Sequence, residues 1–323
     1  MSTSRRDDQV RYGIAELFGR PIDRLRKEER DRLLDQALNS PVDDYPVCPF
    51  RLPSEVGLTR CSKRHGVCSI RRYRNDSGTA QRLEDPDDSP TITCPYRFHQ
   101  ALTVFRWIAR ELLHTSEALL VKEVGFLEAP LSSVEEAGSD EQVVGRIDMI
   151  LLDPQSLRTG PMSWCAVELQ AVYFSGPGMA QELSHVRQHP SDSIPFPASI
   201  RRPDYRSSAP KRLMPQLQIK VPTLRRWGKK MAVVVDRHFY GWMGQMELAR
   251  DVSSGDIAWF VVDLAESQSI PMYTIHESLL HVTTLERAVE GLTGGIPLAL
   301  DAFEERIRQQ SARAIQVTSA RVD

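Results

Sequence analysis

The chain has 323 residues, and its 41% hydrophobic and 26% charged content excludes a disordered or fibrous protein and allows a sizeable core in one or two domains. No run of about 18 uncharged apolar residues occurs, and Met1-Ser2-Thr3-Ser4-Arg5-Arg6-Asp7-Asp8 lacks the apolar segment of a signal peptide, so no membrane span and a cytoplasmic setting are expected. A net charge of −2 excludes a uniformly basic chain, so any nucleic-acid contact must rest on local clusters.

Residues 1–42 are polar and charged, and the run Glu28–Leu38 reads as a short surface helix. Residues 43–97 hold four of the five cysteines and little periodic hydrophobicity, so they read as a loop-rich segment needing something other than a core to hold it. An acidic, turn-rich stretch, Glu84-Asp85-Pro86-Asp87-Asp88-Ser89-Pro90, lies inside it. From Phe98 to Leu120, apolar residues at helical spacing (Phe98, Leu102, Phe105, Ile108, Leu112, Leu113) predict a long amphipathic helix. Short apolar runs at Val121–Leu127, Val143–Leu152, Ala166–Phe174, Met231–Val235 and Ile257–Leu264 predict strands. Helical patterns around 211–226, 276–292 and 297–314 alternate with or follow them. The order implies a mixed α/β core, a central sheet flanked by helices. The division expected is residues 1–97 as a cysteine-bearing segment and 98–323 as the core.

Two stretches are locally basic. Residues 57–82 carry seven basic residues against Asp76 alone, and residues 201–230 carry ten (Arg201, Arg202, Arg206, Lys211, Arg212, Lys220, Arg225, Arg226, Lys229, Lys230) against Asp204 alone. Such clusters suit phosphate contacts, although a charge run by itself is usually a solvated face.

Cys48, Cys61, Cys68 and Cys94 are spaced C-x12-C-x6-C-x25-C. In a reducing compartment the choices are metal binding or plain burial. Four thiolates in a loop-rich segment suit a tetrahedral Zn²⁺ or Fe site, which would stabilise a segment with little core of its own. Cys165 stands apart in a predicted strand and reads as a small buried apolar residue. His65 is a conceivable substitute ligand but fits better as a surface histidine in a basic loop.

Two neighbouring strand candidates carry acids among apolar residues: Asp148 in Gly145-Arg146-Ile147-Asp148-Met149-Ile150, and Glu168 with Gln170 in Ala166-Val167-Glu168-Leu169-Gln170. On a strand, Glu168 and Gln170 would share a face, with Asp148 approaching from the paired strand. An acid buried in a strand is costly unless paired or bound to metal. Asp148 and Glu168 would therefore hold Mg²⁺, a hard cation that takes carboxylate oxygens. The alternative is a β-hairpin with one salt-bridged acid, such as Glu168 with Arg146. Asp153 competes with Asp148, but its place before a proline turn suits capping. Glu123, in Val121-Lys122-Glu123-Val124, is a further candidate carboxylate.

This layout resembles the PD-(D/E)xK nuclease superfamily, except that Gln170 stands where the pattern has lysine. Further short motifs, Ile14-Ala15-Glu16-Leu17-Phe18-Gly19, Cys48-Pro49-Phe50, Gly66-Val67-Cys68, Cys94-Pro95-Tyr96-Arg97 and Tyr173-Phe174-Ser175-Gly176, together resemble the NotI-type restriction endonucleases, in which the glutamine is itself a trait. The resemblance implies Asp148, Glu168, Gln170 and Glu123 as catalytic positions with Mg²⁺. It implies one structural metal, iron in that family, on Cys48, Cys61, Cys68 and Cys94. It also implies a homodimer that cuts duplex DNA at a GC-rich palindrome. DNA-reading residues do not transfer. Arg225, Arg226, Lys229 and Lys230 are expected to grip phosphates and Arg201, Arg202 and Arg206 to read guanines, whereas Trp227, Trp242 and Trp259 are expected in the core or a dimer contact. Competing readings are an iron–sulfur repair or CRISPR-type nuclease, disfavoured because all four cysteines precede the core, and a non-catalytic DNA-binding protein.

Overall fold

The computed structural model describes residues 9–52, 59–83, 85, 88–128, 143–267, 270–295 and 298–311. The segment that reads as loop-rich contains most of an antiparallel sheet. Its strands are β1 (Val10–Leu17), β2 (Arg20–Pro21), β3 (Val67–Asp76), β4 (Thr79–Arg82) and β5 (Thr91–Ile92), in the order β2-β1-β3-β4 with β5 also on β3. Hydropathy hides β3 because part of its buried surface is polar. Ser69 donates to Glu16, and buried Arg71 donates to Tyr273 and Asp88. Helix α1 (Lys27–Asn39), close to the span expected, seats Leu34 and Ala37 in the core of this layer. Glu84, Pro86 and Asp87 of the acidic stretch lie outside the described residues.

The long helix expected over Phe98–Leu120 is not one helix. A 3-10 segment, Pro95–Leu102, leads into α2 (Thr103–Ile108) and a π turn, Ala109–Leu113. Ala101 and Leu102 adopt left-handed backbone conformations that interrupt the helix, and His114 does so where the π turn ends. Tertiary contacts hold the break. Arg97 pairs with Glu16 at 3.0 Å, both fully buried, and Gln100 bridges the Tyr273 carbonyl and the Ile275 amide.

Among the described residues the central sheet has six strands: β6 (Leu119–Glu128), β7 (Val143–Leu152), β8 (Trp164–Leu169), β11 (Met231–Asp236), β12 (Ile257–Glu266) and β13 (Tyr273–Thr283), ordered β13-β12-β11-β8-β7-β6. Between β8 and β11 lie the two-residue strands β9 (Phe174–Ser175) and β10 (Arg202–Pro203), paired with each other. β8, β11 and β12 are mutually parallel and the outer strands antiparallel. Every residue of β11 is buried, as expected of a strand covered on both faces. The 3-10 and α2 residues Phe98, Phe105, Trp107 and Ile108 pack on one face. The other face takes α4 (Met214–Arg226) and α6 (Leu285–Thr293), through Leu217, Val221, Leu224, Ala288 and Leu292. Residues 276–283, expected as helix, are instead strand, and α6 starts only at Leu285 behind a Thr284 cap.

Helix α3 (Met179–Gln188) joins the N-terminal layer: its Leu183 and Val186 share a core with Ile14, Leu17 and Leu34, and Arg187 pairs with Asp31 and Asp35. Strand β5 ties the two sheets together. Ile92 donates its amide to Asp236 and accepts from Val172. α5 (Arg237–Trp242) follows β11 directly, capped by the same Asp236, and α7 (Leu300–Ser311) ends the described chain. Residues 312–314 of the expected C-terminal helix lie outside it.

Candidate active site and cysteine cluster

β7 and β8 pair antiparallel with Met149 opposite Val167 and Ile150 opposite Ala166. The same register, continued one residue, sets Asp148 opposite Glu168. Residues directly opposite lie on one face of a sheet, so the two carboxylates are neighbours. On the other side, β6 pairs Lys122 with Met149 and Val124 with Ile147, which sets Glu123 opposite Asp148. Asp148 and Glu168 are thus the acid pair of the sheet, with Glu123 on the adjoining strand. Glu123 is exposed and holds φ of +55°, a conformation uncommon for a side chain with a Cβ.

The burial expected of both acids holds only for Glu168, which is 8% exposed. The Asp148 side chain is 58% exposed, because the β7–β8 ladder stops at Met149 and leaves Asp148 beyond it. Burial raises the Glu168 pKa, with Lys220 opposing the shift and Asp148 adding to it. The Glu168 partner is not Arg146. Lys220, from α4, places Nζ 2.9 Å from Glu168 Oε2 and 3.7 Å from Asp148 Oδ1. Oxygen donors of this type, one of them buried with a single counter-charge, fit a hard divalent cation.

Gln170 lies just past the end of β8. Its amide donates to the Val234 carbonyl, and its side-chain Nε2 donates to the Ala171 carbonyl at 2.6 Å. The nitrogen of its carboxamide is therefore engaged with backbone. Asp153 caps the following turn through the Gln155 amide, as its sequence context suggests.

Glu168 and Gln170 line a cleft of about 860 Å³ between the central sheet and the cysteine-bearing layer. Its basic residues are Lys63, Arg64, Arg201, Lys211 and Arg212. Arg212 lies over the Tyr173 ring at 3.7 Å. Several cations expected to meet phosphates are engaged elsewhere. Arg225 pairs with Asp256 and Glu286, Lys229 donates to the Met162 carbonyl, and Lys230 donates to the Ser253 and Gly255 carbonyls. Arg201 is buried and donates to the Gly178 carbonyl, which removes it from the candidate base readers. Of the tryptophans, Trp259 is fully buried and Trp242 stacks on Tyr205, but Trp227 is half exposed and meets Trp164 edge-on.

All five cysteines are buried and free, including the isolated Cys165. Val47 bridges Arg60, which brings Cys48 and Cys61 side by side, and the Cys94 amide donates to the Cys68 carbonyl. Interaction between the two thiols draws the Cys48 pKa down to about 6 and raises that of Cys61, whose thiol donates to the Lys63 carbonyl. Burial raises the pKa of Cys68 and Cys94, and these two thiols lie within electrostatic reach of each other, as Cys61 does of Cys68. Lys63 is the cation among them, donating to the Thr93 carbonyl. Among the described residues, no group of three or more His, Cys, Asp or Glu side chains is placed to hold a metal ion. The donor chemistry nonetheless fits a thiolate-bound metal: four buried thiols in one neighbourhood, none in a disulfide.

Lys220 is the site residue that sequence reasoning missed. It was visible only as one of ten cations in a basic stretch, with nothing local to single it out. Comparison with curated proteins gives no match. A sequence model of the family described as "Restriction endonuclease NotI" matches residues 34–275, well over half of the chain. Those residues take in the four spaced cysteines, the Asp148–Glu168 pair and the cleft. The chain belongs to the NotI restriction endonuclease family, whose members are site-specific deoxyribonucleases.

Proposed function

We propose that this protein is a Mg²⁺-dependent type II restriction endonuclease that hydrolyses phosphodiester bonds in duplex DNA at a GC-rich palindrome. The observation that carries the reading is the Asp148–Glu168 pair, opposite one another across β7 and β8 beside a cleft lined by cations. Asp148 and Glu168 would hold Mg²⁺, with Glu123, on the adjoining strand, a further candidate carboxylate. When bound, the ion supplies charge that polarises the scissile phosphate and lowers the pKa of water. Lys211 and Arg212 in the cleft wall would meet the DNA backbone. Gln170 retains a carbonyl oxygen with which to orient the attacking water. Hydrolysis proceeds in line: the water oxygen bonds to phosphorus, the P–O3′ bond breaks, and the phosphate stays on the 5′ end.

Cys48, Cys61, Cys68 and Cys94 would hold one structural Fe or Zn. A homodimer in the cytoplasm is the proposed working form. Supporting it, Leu300, Phe303 and Ile307 lie exposed at helical spacing on α7. No described helix is long and apolar enough to cross a membrane.

The test is digestion of a large GC-rich plasmid or phage DNA with Mg²⁺ and with EDTA. Discrete, Mg²⁺-dependent bands support the reading, and sequencing their ends gives the site; a smear would make the enzyme non-specific. Glu168→Ala is expected to abolish cutting while leaving DNA affinity largely intact. Equal loss of both in a folded variant would count against its role.

A further inference from the structure

We propose that Lys220 is the active-site cation of this nuclease, supplied by helix α4 to the carboxylates of β7 and β8; the inference rests on the nuclease reading above. Its Nζ lies 2.9 Å from Glu168 Oε2 and 3.7 Å from Asp148 Oδ1. Among the described residues no other cation pairs with either acid.

The position of Lys220 on its helix argues for a selected charge. Leu217, Val221 and Leu224 share the buried side of α4 and pack on the sheet, and the lysine side chain among them is only 3% exposed. A lysine is rarely tolerated there unless its ammonium is paired. Gln170, two residues past Glu168, brings no charge, and its Nε2 is turned to the Ala171 carbonyl.

The chemistry calls for such a charge. Two carboxylates and a phosphodiester carry three negative charges, of which a divalent ion offsets two. Lys220 offsets the third, at the point where the non-bridging oxygens gather negative charge during displacement. In the resting protein the ammonium is the partner of Glu168; in the reacting complex its charge serves the phosphate.

The experiment is single-turnover cleavage at saturating Mg²⁺, with Mn²⁺ titrations followed by electron paramagnetic resonance without DNA. The parent is compared with Glu168→Ala, Lys220→Met and the double variant Lys220→Met/Gln170→Lys. Lys220→Met is expected to cleave about 100-fold more slowly or worse, with DNA affinity within about threefold of the parent. It is also expected to bind Mn²⁺ about threefold or more tightly, because a like charge has left the site. The double variant, which returns a lysine two residues past Glu168, is expected to recover about tenfold in rate. Cleavage by Lys220→Met within about tenfold of the parent overturns the proposal: the lysine would then only neutralise Glu168 until the ion replaces it. Unchanged Mn²⁺ affinity overturns it as well. Should Lys220→Met fail to fold, Lys220→Gln is held to the same thresholds. Cutting that Glu168→Ala loses but Lys220→Met keeps removes the role of the lysine alone. A parent that never cuts, or a Glu168→Ala variant that cuts as well as the parent, removes the nuclease reading and this inference with it.

Discussion

His99 is a buried imidazole wedged edge-on against the rings of Tyr96 and Phe105, and its Nδ1 has no hydrogen-bond partner among the described residues. Burial pulls its pKa from 6.5 down to about 4, so the folded protein keeps it neutral. Between those values the unfolded chain takes up a proton that the folded chain refuses. Stability therefore declines as pH falls through that window, by on the order of 2 to 3 kcal/mol once pH 4 is reached. His99→Phe should flatten this part of the curve, measured as the urea midpoint at pH 7 and pH 4.5. An equal drop in both proteins would assign the acid sensitivity to other groups. The site acids are likewise read at this scale. Glu168 was identifiable because an acid inside an apolar run needs a partner, but the identity of that partner was not.

The turn before β3 shows how a short sequence signature acquires a physical reason. Gly66 holds φ of +63°, and a Cβ placed on it would come within 2.3 Å of the Phe18 ring. Its carbonyl also accepts the Phe18 amide at 2.8 Å. Gly66→Ala should therefore destabilise the cysteine-bearing layer by about 1 to 3 kcal/mol, through strained backbone and overpacking. Protease sensitivity of residues 43–97 together with a urea midpoint would check it; an unchanged midpoint would mean that the turn relaxes around the methyl. Elements with regular burial, such as β7, β11, β12 and α1, were legible from the chain. Those whose polar residues are satisfied from elsewhere, β3 and the broken 95–113 segment, were not. There the helical periodicity of Phe98 to Leu113 is real, but the Gln100 bonds to Tyr273 and Ile275 interrupt the helix.

Across the whole molecule, Cys94 of the cysteine-bearing layer and Glu168 of the central sheet line one cleft. Cys94, Thr93, Lys63 and Arg64 line it from one side, and Glu168 and Gln170 from the other. A metal held by the four cysteines would thus stabilise a wall of the proposed DNA site as well as its own layer. Cys61→Ser is expected to lower bound Fe or Zn, to destabilise the N-terminal layer and to weaken DNA binding. Elemental analysis and a DNA-binding isotherm would check this, and unchanged metal content would remove Cys61 from the ligand set.

By itself, the sequence determined which residues are available for chemistry and most strands of the central sheet. An acid in an apolar run, a cysteine before a proline and a glycine at a turn are local signals, legible within a few residues. Tertiary structure decided which of these groups meet. Lys220 reaches Glu168 from 52 residues away in the chain, Arg97 reaches Glu16 from 81, and Arg71 reaches Tyr273 from 202. Each contact buries a polar group that local pattern marks as surface, and its energy depends on a distant partner. Periodicity reports how a segment faces water; it carries no information about which distant group replaces that water.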